Sequence, residues 1–245
     1  MKKSNYISIL LALLFGIAFF LRWYLMPQNL FFGPEQGRDL LAVRDIVVGN
    51  NLTLIGPKTA LDGIFHGPLY YYLISIPFML SGGSPTFIAL FLVVINSLTI
   101  YVVYKVTKEL LSARVALIAA LLFAVSFEVI TYARWLSHPP LVLPLSGLFF
   151  LFVYRFLTGS SRNLIYAAVV FGLLFQAELV NVVILVVTTF TSLIVFRKRI
   201  FSQDWRLLSL SAIILLVVSL FFLPHSYRFF HHHVCRWSIV FSEFL

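Results

Sequence analysis

Four of the chain's nine acidic residues, Glu35, Asp39, Asp45 and Asp62, lie in one polar stretch, Phe31 to Gly83, together with Arg38, Arg44, Lys58 and His66. Carboxylates of this kind serve as general bases or metal ligands, and cations and imidazoles steady a phosphate as its charge grows. The spacing inside the stretch predicts a helix. Pro34 fits a first helical turn, where its missing N–H is not needed. Glu35 then opens the helix and Asp39 follows one turn later. Leu40, Leu41, Val43, Ile46 and Val47 supply an apolar face, so the helix is expected to lie on a membrane surface with a carboxylate at its head. A plainer reading of Glu35 is a charge favoured by the positive end of the helix dipole.

The rest of the chain reads as the scaffold for that loop. It is 61% hydrophobic and only 11% charged, against about half and a quarter in an ordinary soluble domain. Several windows exceed the roughly 18 apolar residues that cross a bilayer core. The sequence therefore predicts an all-α polytopic membrane protein. Seven spans are drawn, at Tyr6–Met26, Thr86–Tyr104, Arg114–Thr131, Leu141–Phe156, Leu164–Ala177, Leu179–Phe196 and Leu207–Leu223. The fifth and sixth meet in a polar turn carrying Gln176, Glu178 and Asn181. The apolar segment Leu69–Leu80 is short and holds Pro77, so it is expected on the surface with its tyrosines at the headgroups. Lys2 and Lys3 before Tyr6–Leu21 resemble a signal peptide, but no small-residue cleavage site follows, and Arg22, Trp23 and Tyr24 read as an interfacial anchor.

With the N-terminus inside, eleven basic and two acidic residues fall on the inner side, leaving seven of each outside. That asymmetry follows the positive-inside rule and places the long first loop, residues 31–83, on the extracytoplasmic face of an inner membrane. The net charge of +9 is thus a topology signal and not a nucleic-acid patch. The single cysteine, Cys235, excludes an intramolecular disulfide and a cysteine metal cage. The run His231–His233 reads as a solvated turn. One membrane domain, residues 1–245, accounts for the whole chain.

The motif F-x-x-E-Q-G-R-D at Phe32–Asp39, followed by LTLIGP, DGIFHGPLYYYL and GGSP, resembles the first extracytoplasmic loop of GT-C fold glycosyltransferases. The likeness is to the bacterial branch related to protein O-mannosyltransferases and the aminoarabinose transferase of lipid A. YARWLSHPPLVLPL is similar to that group's second outer loop. The resemblance implies a GT-C-like helix bundle. It also implies a sugar donor carried on a polyprenyl phosphate within the membrane lipid, and a lipid, glycan or protein acceptor outside. Members of that group carry more spans than the seven drawn here, which casts the chain as the N-terminal part of such a module. An inactive relative, or a non-catalytic protein that binds or transports the carrier lipid, is the alternative. Against transport, no Gly/Pro-broken helices repeat across two halves.

The resemblance assigns the catalytic carboxylate to Glu35, where relatives commonly carry aspartate. Arg134, between Tyr132 and Trp135, suits the leaving phosphate because its planar fork grips such oxygens; the alternative is a snorkelling interfacial arginine. His66 falls where relatives place a lysine or histidine. It is a candidate for phosphate binding, or for holding a divalent metal ion with Glu35 or Asp62; the alternative is a structural histidine. Lys58, beside Pro57, is a further phosphate candidate. Ser137 and His138 stand where relatives often have asparagine, and Glu178 stands where they often carry histidine or tyrosine. An ionisable residue at that depth is a functional candidate, although a water-exposed hairpin tip also explains it.

Overall fold

The computed structural model describes residues 2–59, 64–178, 181–195, 197, 200 and 205–220. Asp62, the run His231–His233 and Cys235 lie outside them. Each of the seven stretches drawn as spans holds a helix, and no strand forms among the described residues. In order these are α1 (Lys2–Trp23), α2 (Met26–Asn29), α3 (Pro34–Val47), α4 (Leu69–Ser81), α5 (Pro85–Leu110), α6 (Ala113–Val125) and α7 (Phe127–Ala133). A 3₁₀ turn at Pro139–Leu141 leads into α8 (Val142–Leu157), followed by α9 (Asn163–Ala177), α10 (Asn181–Val195) and α11 (Trp205–Leu220).

Among the described residues three helical stretches, Tyr6–Trp23, Pro85–Leu110 and Pro139–Leu157, are long and apolar enough to cross a membrane. The α6–α7 pair makes a fourth if its two helices count as one span. α4 and α9 are apolar but shorter. The chain is an all-α membrane protein whose first loop carries two further helices, α3 and α4.

Helix α5 is the central post, packed against α1, α4, α6 and α8. Its approach to α6 depends on Ala116, Ala120 and Ala124, all buried and four residues apart. Small side chains on one stripe let helix backbones come close where lipid gives no hydrophobic drive. Gly172 does the same for α9 and α11: a Cβ there would meet Val218 Cγ1 at 2.4 Å. At the far end of α5, Arg155 of α8 forms an ion pair with Glu109.

The expected span Arg114–Thr131 is broken. Ser126 is extended, and α6 and α7 meet at 57°. Such a break frees carbonyls that water cannot reach inside a bilayer. Arg22 takes them. Its Nη1 donates to Ala124 O (3.0 Å) and Ala18 O (3.1 Å), and its Nη2 to Phe123 O (3.3 Å). Its Nε donates to Asn96 Oδ1 at 2.9 Å, and the guanidinium lies 5.6 Å from the Phe123 ring centre. Arg22 is 0% exposed, so it is a buried joint and not the interfacial anchor that Trp23 and Tyr24 suggested.

Helix α4 also differs from expectation. It is helical through Pro77, but its tyrosines turn inward: Tyr70 and Tyr71 are buried against α3 and α5, while Met79 and Leu80 are exposed. The Tyr72 hydroxyl donates to Thr53 O at 2.7 Å. Hydroxyl partners inside the loop outweigh the headgroup position that the bare pattern predicts.

Replacing Arg22 with leucine leaves Asn96 and the carbonyls of Phe123 and Ala124 without a donor. Each lost partner costs on the order of 1–3 kcal/mol. The variant is expected to lose the folded state at a clearly lower temperature in detergent, and to a greater extent than Arg22→Lys. An unchanged thermal midpoint for Arg22→Leu would show that water already satisfies these groups.

Candidate functional site

The helix predicted to open at Pro34 does so, with the Gly33 N–H donating to Gln36 Oε1 at 2.8 Å. Glu35, in its first turn, is exposed. Asp39 one turn later is buried, at 3% exposure. Its Oδ1 accepts the Tyr71 hydroxyl at 2.9 Å and Arg38 Nη2 at 2.9 Å. Burial pushes the Asp39 carboxyl above the usual range, against the pull of Arg38 and Tyr71. The motif thus carries two carboxylates of different kinds. Glu35 is free to meet a solute, and Asp39 fastens α3 to α4.

Between these helices the chain folds back on itself. The His66 N–H donates to Pro57 O (2.8 Å), the Gly56 N–H to His66 O (3.0 Å), and the Thr59 N–H to Ile64 O (3.0 Å). Lys58 pairs with Phe65 in this bridge and its side chain is exposed. The next donor, Gly67 N–H, reaches across to Gln176 O in α9 at 2.9 Å. Only glycine fits at 67, because a Cβ there would lie 2.6–2.9 Å from three atoms of Gln176, its Cα included.

This docking brings together three residues distant in sequence. His138 Nε2 lies 3.1 Å from Glu178 Oε2, and His66 Nε2 lies 3.9 Å from Glu178 Oε1. The two imidazole rings are 4.1 Å apart, and Tyr70 meets His138 edge-on at 6.2 Å. Ser137 Oγ holds His138 Nδ1 at 3.2 Å. Ligand atoms of His66, His138 and Glu178 all fall within 4.8 Å of one another, a set able to hold a metal ion. Burial, and next the neighbouring His138, push the His66 imidazole down to about 4, with Glu178 opposing. His66 is therefore neutral at pH 7 and keeps a lone pair.

Of the expected ligands, His66 groups with His138 and Glu178 among the described residues. Glu35 is exposed on α3 and is not among the grouped ligands, and Asp62 lies outside the described residues. Arg134 spends its fork on the end of α1: Nη2 donates to Leu21 O (2.8 Å) and Tyr24 O (3.1 Å), and Nε to Arg22 O (3.2 Å). His138 and Glu178 stand out in the sequence as polar residues in apolar surroundings, but 40 residues separate them and the pattern does not join them. One physical signal was available for Glu178. It ends an apolar helix, where the dipole disfavours negative charge and a positive or hydrogen-bonding partner is needed.

A helical bundle within the membrane, with a polar cluster held under a folded loop, defines a membrane-embedded protein with a candidate site at one end. The sequence profile described as dolichyl-phosphate-mannose-protein mannosyltransferase matches residues 65–223, a range that takes in His66, His138 and Glu178. The chain belongs to that family of membrane glycosyltransferases, as its GT-C-like motifs implied. No curated protein and no solved structure matches it significantly.

The site depends on the close contact at Gly67. The substitution Gly67→Ala is expected to lift the loop from α9 and to make residues 31–83 markedly more sensitive to protease in the purified full chain, with α8 and α9 unaffected. Equal digestion of variant and parent would mean that the loop is not held there.

Proposed function

We propose that the protein transfers a sugar from a polyprenyl-phosphate donor to a hydroxyl-bearing acceptor on the extracytoplasmic side of the inner membrane. The observation that carries this reading is the family match together with the exposed Glu35 at the head of α3, beside a loop otherwise folded inward. Glu35 acts as the base. It takes the proton of the acceptor hydroxyl as that oxygen attacks the anomeric carbon, and the bond from that carbon to the donor phosphate breaks with the electron pair leaving on phosphate. Attack opposite the leaving group inverts the anomeric centre.

A hydroxyl is a poor nucleophile at neutral pH, so a base of this kind contributes about 10²–10⁴ in rate. The developing phosphate charge needs donors. Lys58 supplies charge from the outer side of the bridge, while His66 is turned to His138 and Glu178. Arg134 acts indirectly, because its guanidinium binds the carbonyls that end α1. Its loss would shift the start of the loop and not remove a phosphate ligand. Asp39 positions α3 through Tyr71 and takes no proton.

Glu35→Gln keeps size and helix start but cannot accept a proton. Transfer of labelled sugar from a polyprenyl-phosphate donor into membrane acceptors should fall at least about 100-fold, while membrane insertion and yield stay at the parental level. Parental rates in that variant would remove Glu35 from the chemistry. Accessibility labelling of a cysteine placed at 35, in a chain with Cys235 replaced, is expected to mark it from the outside of intact cells. Labelling only after the membrane is opened would overturn the proposed sidedness.

A further inference from the structure

We propose that His66, His138 and Glu178 form a binding site for one zinc-class divalent ion, which clasps the first loop, the turn before α8 and the end of α9. Two ligands on a tetrahedral ion at about 2.1 Å stand about 3.4 Å apart. His138 Nε2 stands 3.1 Å from Glu178 Oε2, close to that value, and one ligand atom from each of the three residues falls within 4.8 Å of the others. Two imidazole nitrogens and one carboxylate suit zinc, cobalt or iron, whereas magnesium and calcium favour oxygen ligands. Three protein ligands also leave a position open, as in catalytic and not closed structural zinc sites.

Independent observations point the same way. His66 is 5% exposed, and its Nδ1 is buried without a hydrogen-bond partner. An orphaned polar atom at that depth costs on the order of 1–3 kcal/mol, a cost that coordination of a cation through Nδ1 removes. Ser137 Oγ at His138 Nδ1 is the outer contact that orients a metal-binding imidazole and turns Nε2 toward the ligand position. The Glu178 carboxylate sits at the negative end of α9, its N–H bonded to Leu174 O at 2.9 Å, so the helix itself gives that charge no support.

The test uses the full chain, purified in detergent on a non-histidine affinity tag. His231, His232 and His233 are replaced by glutamine, because consecutive histidines take up metal unaided. After chelator treatment, Co²⁺ titration is expected to give one ion per chain and a visible absorption band that Zn²⁺ abolishes and Mg²⁺ does not. His138→Ala and Glu178→Gln should weaken binding more than about 100-fold, and Ser137→Ala by about 10–100-fold, the range for outer contacts. Glu35→Gln should bind as the parent does. Zn²⁺ should also protect residues 31–83 from protease, a readout on the parent chain that holds even where a variant fails to fold. Absence of stoichiometric uptake by the parent chain overturns the proposal. So does uptake that survives His138→Ala, or that falls with Glu35→Gln. Because metal content is read and not sugar transfer, failure here leaves the glycosyl-transfer reading standing, and the reverse also holds.

Discussion

A charged side chain inside an apolar bundle is tolerated only when its partners leave nothing unsatisfied, and Arg22 meets that condition. Its guanidinium collects the loose carbonyls of the α6 end, a carbonyl of its own helix and the Asn96 amide oxygen. Asn96 then passes the connection on, its Nδ2 donating to Pro140 O at 3.4 Å. Arg134 returns it from the end of α7 to the last carbonyls of α1. Two arginines more than a hundred residues apart thus close helix ends in turn, Arg22 that of α6 and Arg134 that of α1. The first loop leaves this knot at Trp23 and the second at Ala133, so the knot fixes where both loops begin.

That geometry reaches the candidate site by short steps. Phe31 N–H donates to Arg134 O at 3.4 Å and its ring meets Trp135 edge-on, which sets the start of α3. Pro140 lies two residues from His138 and inside the 3₁₀ turn that His138 precedes. The carboxylates divide accordingly. Asp39 is spent on holding α3 against α4, and Glu35, at the same helix's open end, is left for solute.

Much of this was legible in the residue pattern. Apolar length marks a helix in each of the seven drawn stretches but not the break at Ser126, and Pro34 before Glu35 marks the start of α3 because proline suits a first turn whatever the surroundings. What failed to show depends on distant partners. Arg22 beside Trp23 and Tyr24 has the local look of a headgroup anchor, and only the α6–α7 break, a hundred residues on, turns it inward. The tyrosines of α4 carry an amphipathic signature that serves a lipid surface or a loop interior equally well. His138 and Glu178 were visible as misfits, yet their pairing runs through Gly67, whose lack of a side chain allows contact with Gln176 and gives no local sign of its purpose.

The same contact explains why fold and site are one object here. Glu178 sits at the negative end of α9 and His66 is buried with an orphaned nitrogen, and docking of the first loop sets the two opposite one another beside His138. Apolar burial of Val43, Ile46, Tyr70 and Ile74 orders the helices of the loop, and these polar contacts fix where it meets α9.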